Sequence, residues 1–347
     1  MITIKRSAAI FFIALAFSLV AVPGAFAQKV RIGYVHVFDD APVVVARDKG
    51  FFAAAGLEPN VTMFTSGPTL VKGLVTDQLD VGVLGFTNAI TWSAQGADLK
   101  IVGKVQEGYH AIVARNDRGI KTLKDLRGKS IASQAAGSTA DIVLKGVILK
   151  SAGLTDKDLQ IMYTAPSTAL ASMRAGRVDS AFFFEPYDSM ARATMPVAEV
   201  YEVGKSWPFP CMVVIVPGKL IKEQPAAVRK VLASLKRSIE FIKEKPAEAA
   251  QVLAPAFMAE GDLVADGRTV PAQEIMLKSL KSNVFDWRLS PADLKRMEEL
   301  SGVMKDLDIL KNEVPISSVV DFDGRRSWSG ANPRGERGPR TMASAVR

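Results

Sequence analysis

Glu185 directly follows Phe182-Phe183-Phe184 and precedes Pro186. A carboxylate at the end of an apolar strand could hold an amine or a ring N–H, because a buried carboxylate is costly unless it is paired. A solvated loop glutamate is the plainer use of the same residue. Asp39 and Asp40, next to Phe38, could do the same work. Gly137-Ser138-Thr139 opens a helical pattern, where free backbone N–H groups and hydroxyls suit an anion. Plain N-capping accounts for the same residues, and Thr87 and Asn88 pose the same choice. Phe86, Tyr187 and Trp207 could wall a binding cleft or serve only as core.

Catalytic patterns are missing. The chain has two histidines, His36 and His110, and one cysteine, Cys211. No H-E-x-x-H, G-x-S-x-G or C-x-x-C occurs. Gly128-Lys129-Ser130 resembles the end of a phosphate-binding loop, but Leu123 stands where its first glycine is required. His110 reads as a structural residue of a strand. The expectation is a binding protein with no catalytic residue, no metal and no cofactor.

The elements that must position these residues follow from periodicity. Strands are expected at Val30–Val35, Asn60–Phe64 and Leu79–Leu84, alternating with helices at Pro42–Phe52, Thr69–Thr76 and Thr87–Gln95. The pattern then returns. A capping box at Thr122–Asp125 precedes strand Ser130–Ser133, helix Thr139–Ser151, strand Leu159–Tyr163, helix Ser167–Ala175 and strand Val178–Phe183. Such alternation predicts a mostly parallel sheet covered on both faces.

The two stretches superpose at an offset of 99, which sets Thr65 on Thr164, Thr69 on Thr168, Asp80 on Asp179 and Ile32 on Ile131. One α/β unit is used twice. Two β-rich runs, His110–Arg115 and Met212–Pro217, sit where the chain would cross between the units and read as hinge strands. From Pro217 onward helices are expected at Pro225–Lys243, Pro246–Phe257, Pro271–Ser282, Pro291–Met304 and Lys305–Lys311, several opening on proline.

Ligands in open α/β sheets bind beyond the carboxyl ends of the strands. In the first unit these ends are Phe38-Asp39-Asp40, Ser66-Gly67-Pro68 and Gly85-Phe86-Thr87-Asn88. In the second they are Ala136-Gly137-Ser138-Thr139 and Glu185-Pro186-Tyr187. If the units face each other, these segments line one cleft.

Lys5 and Arg6, the apolar run Ala8–Val22 and Ala25-Phe26-Ala27 read as a cleavable export signal, with Gln28 as the new N-terminus. The apolar run is short for a bilayer span. No cysteine lies at the cleavage site, so a lipid anchor there is not expected, and one cysteine cannot form an intramolecular disulfide. The net charge is +8. Two of those charges leave with the signal, and the tail Gly324–Arg347 carries six arginines against one glutamate. Residues 28–323 are nearly neutral, which gives no footprint for nucleic acid. The tail, rich in Gly, Pro, Ser and Arg, reads as disordered.

The chain resembles the nitrate/sulfonate/taurine class of periplasmic binding proteins, the substrate-binding subunits of ABC importers. That class also includes binders of thiamine-pyrimidine precursors. The resemblance lies in Ala46–Leu57, Ser66-Gly-Pro68, Leu79–Gly85, Leu123–Lys129, Gly137-Ser-Thr139, Ala152-Gly-Leu154 and Ala175–Asp179 leading to Glu185-Pro186, and it covers roughly residues 28–323. It implies a type II periplasmic-binding fold, an α/β architecture of two lobes with mixed sheets joined by two hinge strands. The expected division is 1–27 signal, 28–114 with 211–323 as lobe 1, 115–210 as lobe 2, and 324–347 as tail. It implies a monomeric periplasmic protein that takes a taurine-, alkanesulfonate- or nitrate-type solute to permease subunits. Helix N-termini would hold the acid group and Glu185 or Asp39 an amine. Some taurine and sulfonate binders place tryptophan and a small residue where this chain has Phe184 and Glu185. A binder of a nitrogen heterocycle such as a pyrimidine precursor or flavin is the alternative. An enzyme of the pyrimidine-synthase type would need a histidine- and cysteine-rich segment that the chain lacks.

Overall fold

Runs of β-branched residues form the strands, and where the flanking helices hide both faces they are apolar throughout, as in Val81–Gly85. The structure, a computed structural model, describes residues 27–265 and 267–321. The signal segment up to residue 26 and the tail 324–347 lie outside the described residues.

Ten strands build two five-stranded sheets. In chain order they are β1 (Gln28–Val35), β2 (Leu57–Phe64), β3 (Val81–Gly85), β4 (Leu99–Glu107), β5 (Ala111–Arg115), β6 (Ser130–Ser133), β7 (Gln160–Tyr163), β8 (Ser180–Phe183), β9 (Val197–Glu202) and β10 (Pro210–Pro217). The first sheet has the order β2-β1-β3-β10-β4 and the second β7-β6-β8-β5-β9. In each, three parallel strands are followed by a fourth that runs antiparallel to both of its neighbours, so the fifth has the direction of the first three. In each sheet the fourth strand is supplied by chain arriving from the other unit, at 108–110 and again at 203–209. The two runs read as hinge strands each enter one sheet directly after a crossing, and they pair within that sheet rather than with each other.

The internal repeat is visible in its hydrogen bonds. Asp80 accepts the Arg31 N–H at 2.7 Å, and Asp179, 99 residues on, accepts the Ser130 N–H at 2.9 Å. Each carboxylate stands just before the third strand in its sheet and ties it to the second.

Some expectations shift. The helix expected over Pro42–Phe52 is two, Ala41–Asp48 and Phe51–Ala54, because Gly50 adopts φ +68 between them. The helix at Thr139 runs as α to Val143 and continues as π to Leu149. Strands β4 and β9 and the helix Tyr187–Thr194 were not anticipated. Residues after Pro217 are not wholly helical, since Leu263–Ala265 and Arg268–Val270 form a short hairpin. Lys305–Lys311 adds no separate helix; the helix Pro291–Asp306 ends there in turns.

Helices Pro225–Glu244 and Pro246–Phe257 pack on Ala41–Asp48 and extend the first unit's core. Across that core Ser238 Oγ donates to the Pro42 carbonyl at 2.6 Å. Lys104 on β4 is buried, with Nζ 3.0 Å from both Glu107 and Asp293, so β4 is tied to the helix Pro291–Asp306.

Candidate ligand-binding cleft

The carboxyl ends of the parallel strands point toward one cavity of about 540 Å³. From the first sheet come Val35 and Val37, the Thr65-Ser66-Gly67-Pro68 turn, Gly85 and Asn88. From the second come Gln134 to Ala136, Ser138 to Ala140, and Tyr163 to Pro166. Asp39, His110, Phe184, Cys211 and Met212 complete the lining. Among these residues there is no lysine and no arginine.

The local chemistry follows from the turns. Ser66, in extended backbone, caps the helix Gly67–Val75, with Oγ accepting the Thr69 N–H. Ser138 caps the opposing helix by accepting the Asp141 N–H at 3.3 Å. The first N–H groups of a helix have no intrahelical partner, so both turns offer donors to the cavity. Asp141 in that first turn is occupied: it accepts from Gly137 N–H, Lys145 Nζ and Tyr163 OH. Thr139 reaches across to the first unit, its Oγ1 2.7 Å from Thr87 Oγ1. Gly85 makes that approach possible, since a Cβ there would sit 2.1 Å from Thr139 Oγ1.

At one end of the cavity lie Asp39, His110 and Cys211, all buried, with one ligand-type atom of each within 4.8 Å of the others. Burial pushes the Asp39 carboxyl well above the usual range, and the charge of Glu185 adds to the effect. Burial lowers His110 to about 4, so the imidazole is neutral at pH 7, and raises the Cys211 thiol.

Of the residues singled out from sequence, the cavity brings together Asp39, Ser66, Gly67, Asn88, Ser138 and Thr139. The others lie elsewhere. Phe38 is in the core against Phe257 and Phe285. Asp40 accepts the Val35 N–H at 2.8 Å and so fixes the end of β1. Phe86 is fully buried, and Thr87 is used by Thr139. Gly137 provides a left-handed turn at φ +76. Tyr187 packs on Phe183 and Phe184. Glu185 is the main correction. Its carboxylate accepts from Ser189 N–H, Ser189 Oγ and Ser279 Oγ, and it borders a separate hollow with Tyr109, Asp188 and Arg192. Trp207 stacks under Arg296 and beside Phe209, away from the cavity.

Thr65, Gln134, Tyr163, Thr164, His110 and Cys211 were not singled out as cavity residues. The repeat offers a signal for two of them, because Thr65 and Thr164 are equivalent positions that both reach the cavity.

The profile of the NMT1-like family matches residues 25–256, about two thirds of the chain. The chain belongs to the NMT1-like family. It is 25% identical over 295 residues to a binding protein of Brucella abortus, covering 82% of this chain and 91% of the relative. It is 30% identical over 232 residues to an aliphatic sulfonates-binding protein of Bacillus subtilis, covering 65% of this chain and 68% of the relative. The crystal structure of the periplasmic aliphatic sulphonate binding protein SsuA from Escherichia coli superposes with a TM-score of 0.71 at 20% identity, covering 92% of this chain and 97% of that one. The architecture is therefore the periplasmic-binding-protein fold.

Proposed function

We propose that the chain is the periplasmic substrate-binding component of an ABC importer and that it captures a small organic anion of the sulfonate class. The observation that carries this is the cavity, which lies between doubled strand ends and is rich in neutral donors. Thr65, Ser66, Ser138, Thr139 and Thr164 offer hydroxyls, and two helix starts offer backbone N–H groups. Neutral donors and helix dipoles hold an anion without an ion pair. The name of the Bacillus subtilis relative, matched over 68% of its length, supports the same class.

Binding without catalysis is the reading that the relatives' names, all of binding proteins, support. The lobes close over the solute by hinge motion at the two crossings, and the closed form is what the permease subunits recognise. The exported form starts at Gln28. A thermal-shift screen with taurine, alkanesulfonates, nitrate and pyrimidines tests the reading, because a ligand that binds only the native state raises the melting temperature. A sulfonate should give the largest rise. A rise with pyrimidines alone would assign the cavity to the heterocycle class.

A further inference from the structure

We propose that Asp39, His110 and Cys211 form a site for a divalent transition-metal ion of the zinc class, with an open coordination position facing the cavity. The proposal goes beyond the solute reading and does not depend on which anion binds.

The three donors come from separate parts of the chain. Asp39 follows β1, His110 lies in the first crossing, and Cys211 stands at the start of β10 just after the second. Their ligand atoms all lie within 4.8 Å of one another, and His110 Nε2 is 3.9 Å from Asp39 Oδ2. Tetrahedral zinc bonds of about 2.0–2.3 Å place pairs of ligand atoms roughly 3.3–3.7 Å apart. A contraction of about an ångström brings all three onto one ion.

The donor set selects the metal. One sulfur, one nitrogen and one oxygen suit Zn²⁺ or Co²⁺, whereas Ca²⁺ and Mg²⁺ take oxygen ligands. Three protein ligands with a fourth position free is the pattern of accessible zinc sites, in contrast to closed structural ones. All three residues line the cavity, so an entry path exists and an anionic solute could fill the free position.

A second observation points to a missing partner. Asp39 is 1% exposed and His110 3%. The Asp39 oxygens have no close hydrogen-bond partner beyond the Cys211 thiol beside them, and His110 Nδ1 has none. Buried polar atoms are nearly always partnered in native proteins. No lysine or arginine among the described residues lining the cavity can neutralise the carboxylate. An ion would take one oxygen of Asp39 and one nitrogen of His110 and would neutralise the carboxylate.

The test is a Co²⁺ titration of the full chain after chelator treatment, with no solute present. The expected result is one equivalent bound, with tetrahedral Co²⁺ absorption, a thiolate-to-Co²⁺ charge-transfer band, and displacement by Zn²⁺. Cys211 is the only cysteine in the 347 residues, so that band can come from no other site. Cys211→Ser should abolish the band, and His110→Gln should weaken binding at least about tenfold, with circular dichroism confirming that both variants fold. If either does not fold, the parent's band still decides. Absence of stoichiometric Co²⁺ and Zn²⁺ binding by the parent would overturn the proposal. So would Co²⁺ binding without the band, or chelated protein that captures an aminosulfonate at full affinity and loses it in Asp39→Asn, which would give Asp39 to the solute's amine. Sulfonate titration of the same chelated protein tests the solute reading separately, so each can fail alone.

Discussion

Gly85→Ala should weaken solute binding while leaving each lobe's own packing intact. Gly85 ends β3, and a Cβ there would meet Thr139 of the other lobe, 2.1 Å from Oγ1 and 3.0 Å from Cβ. Gly85 is not among the glycines with positive φ, so alanine carries no backbone penalty. The clash falls between the strand ends of the two lobes, so if the lobes part without solute it acts on the closed form alone, and it also disturbs the 2.7 Å contact between Thr139 and Thr87. Overpacking of this kind costs about 1–3 kcal/mol. If only the closed form holds solute, affinity falls about 5- to 150-fold. Calorimetry of parent and variant with the sulfonate that binds the parent most tightly reads this directly, and melting curves without solute provide the control. Unchanged affinity would refute the closure argument. A fall in melting temperature with unchanged affinity would show that Gly85 and Thr139 form a permanent core contact.

Other outcomes follow from single residues. Thr139→Val removes a hydroxyl that lines the cavity and leaves Thr87 unpaired; a loss of about 1–3 kcal/mol in binding is expected by calorimetry. Glu185→Gln should keep solute affinity within about twofold, because its carboxylate is taken up by Ser189 and Ser279 outside the cavity. Burial, with Asp188 adding, raises Glu185 above its unfolded value. Its share of stability is therefore complete below about pH 4.3 and is lost as pH rises through the folded value, so the Gln variant's melting temperature should fall less over that rise. Lys104→Ala leaves Asp293 without its buried partner and should cost about 3–5 kcal/mol in denaturant unfolding. Protein sequencing of the exported form should begin at Gln28; a start at Met1 would contradict cleavage.

The repeat was legible because the same requirement recurs at fixed spacing. Asp80 and Asp179 each bind the backbone of a neighbouring strand, so their type is preserved at an offset of 99. Central parallel strands such as β3 were legible because burial on both faces makes them apolar runs. Strand β4 was not, since Lys104 and Gln106 interrupt its apolar pattern. Only the fold supplies their partners, Asp293 and Asn283, nearly 180 or more residues away. The cavity was half legible. Strand ends gave Asp39, Ser66, Asn88, Ser138 and Thr139, but burial with satisfied hydrogen bonds removed Glu185. His110 and Cys211 reach the cavity only because both chain crossings pass beside it, a tertiary fact with no local signature.

The central claim is that one cavity between the doubled strand ends captures a sulfonate-type anion. Ala136 lines that cavity from the second sheet and can be filled without touching Glu185 or Lys104. Calorimetric titration of parent and Ala136→Trp with a panel of alkanesulfonates and taurine is the most direct test. The account predicts one-to-one binding of at least one sulfonate by the parent and its loss in Ala136→Trp. No binding by the parent to any member, or equal binding by the variant, would contradict it.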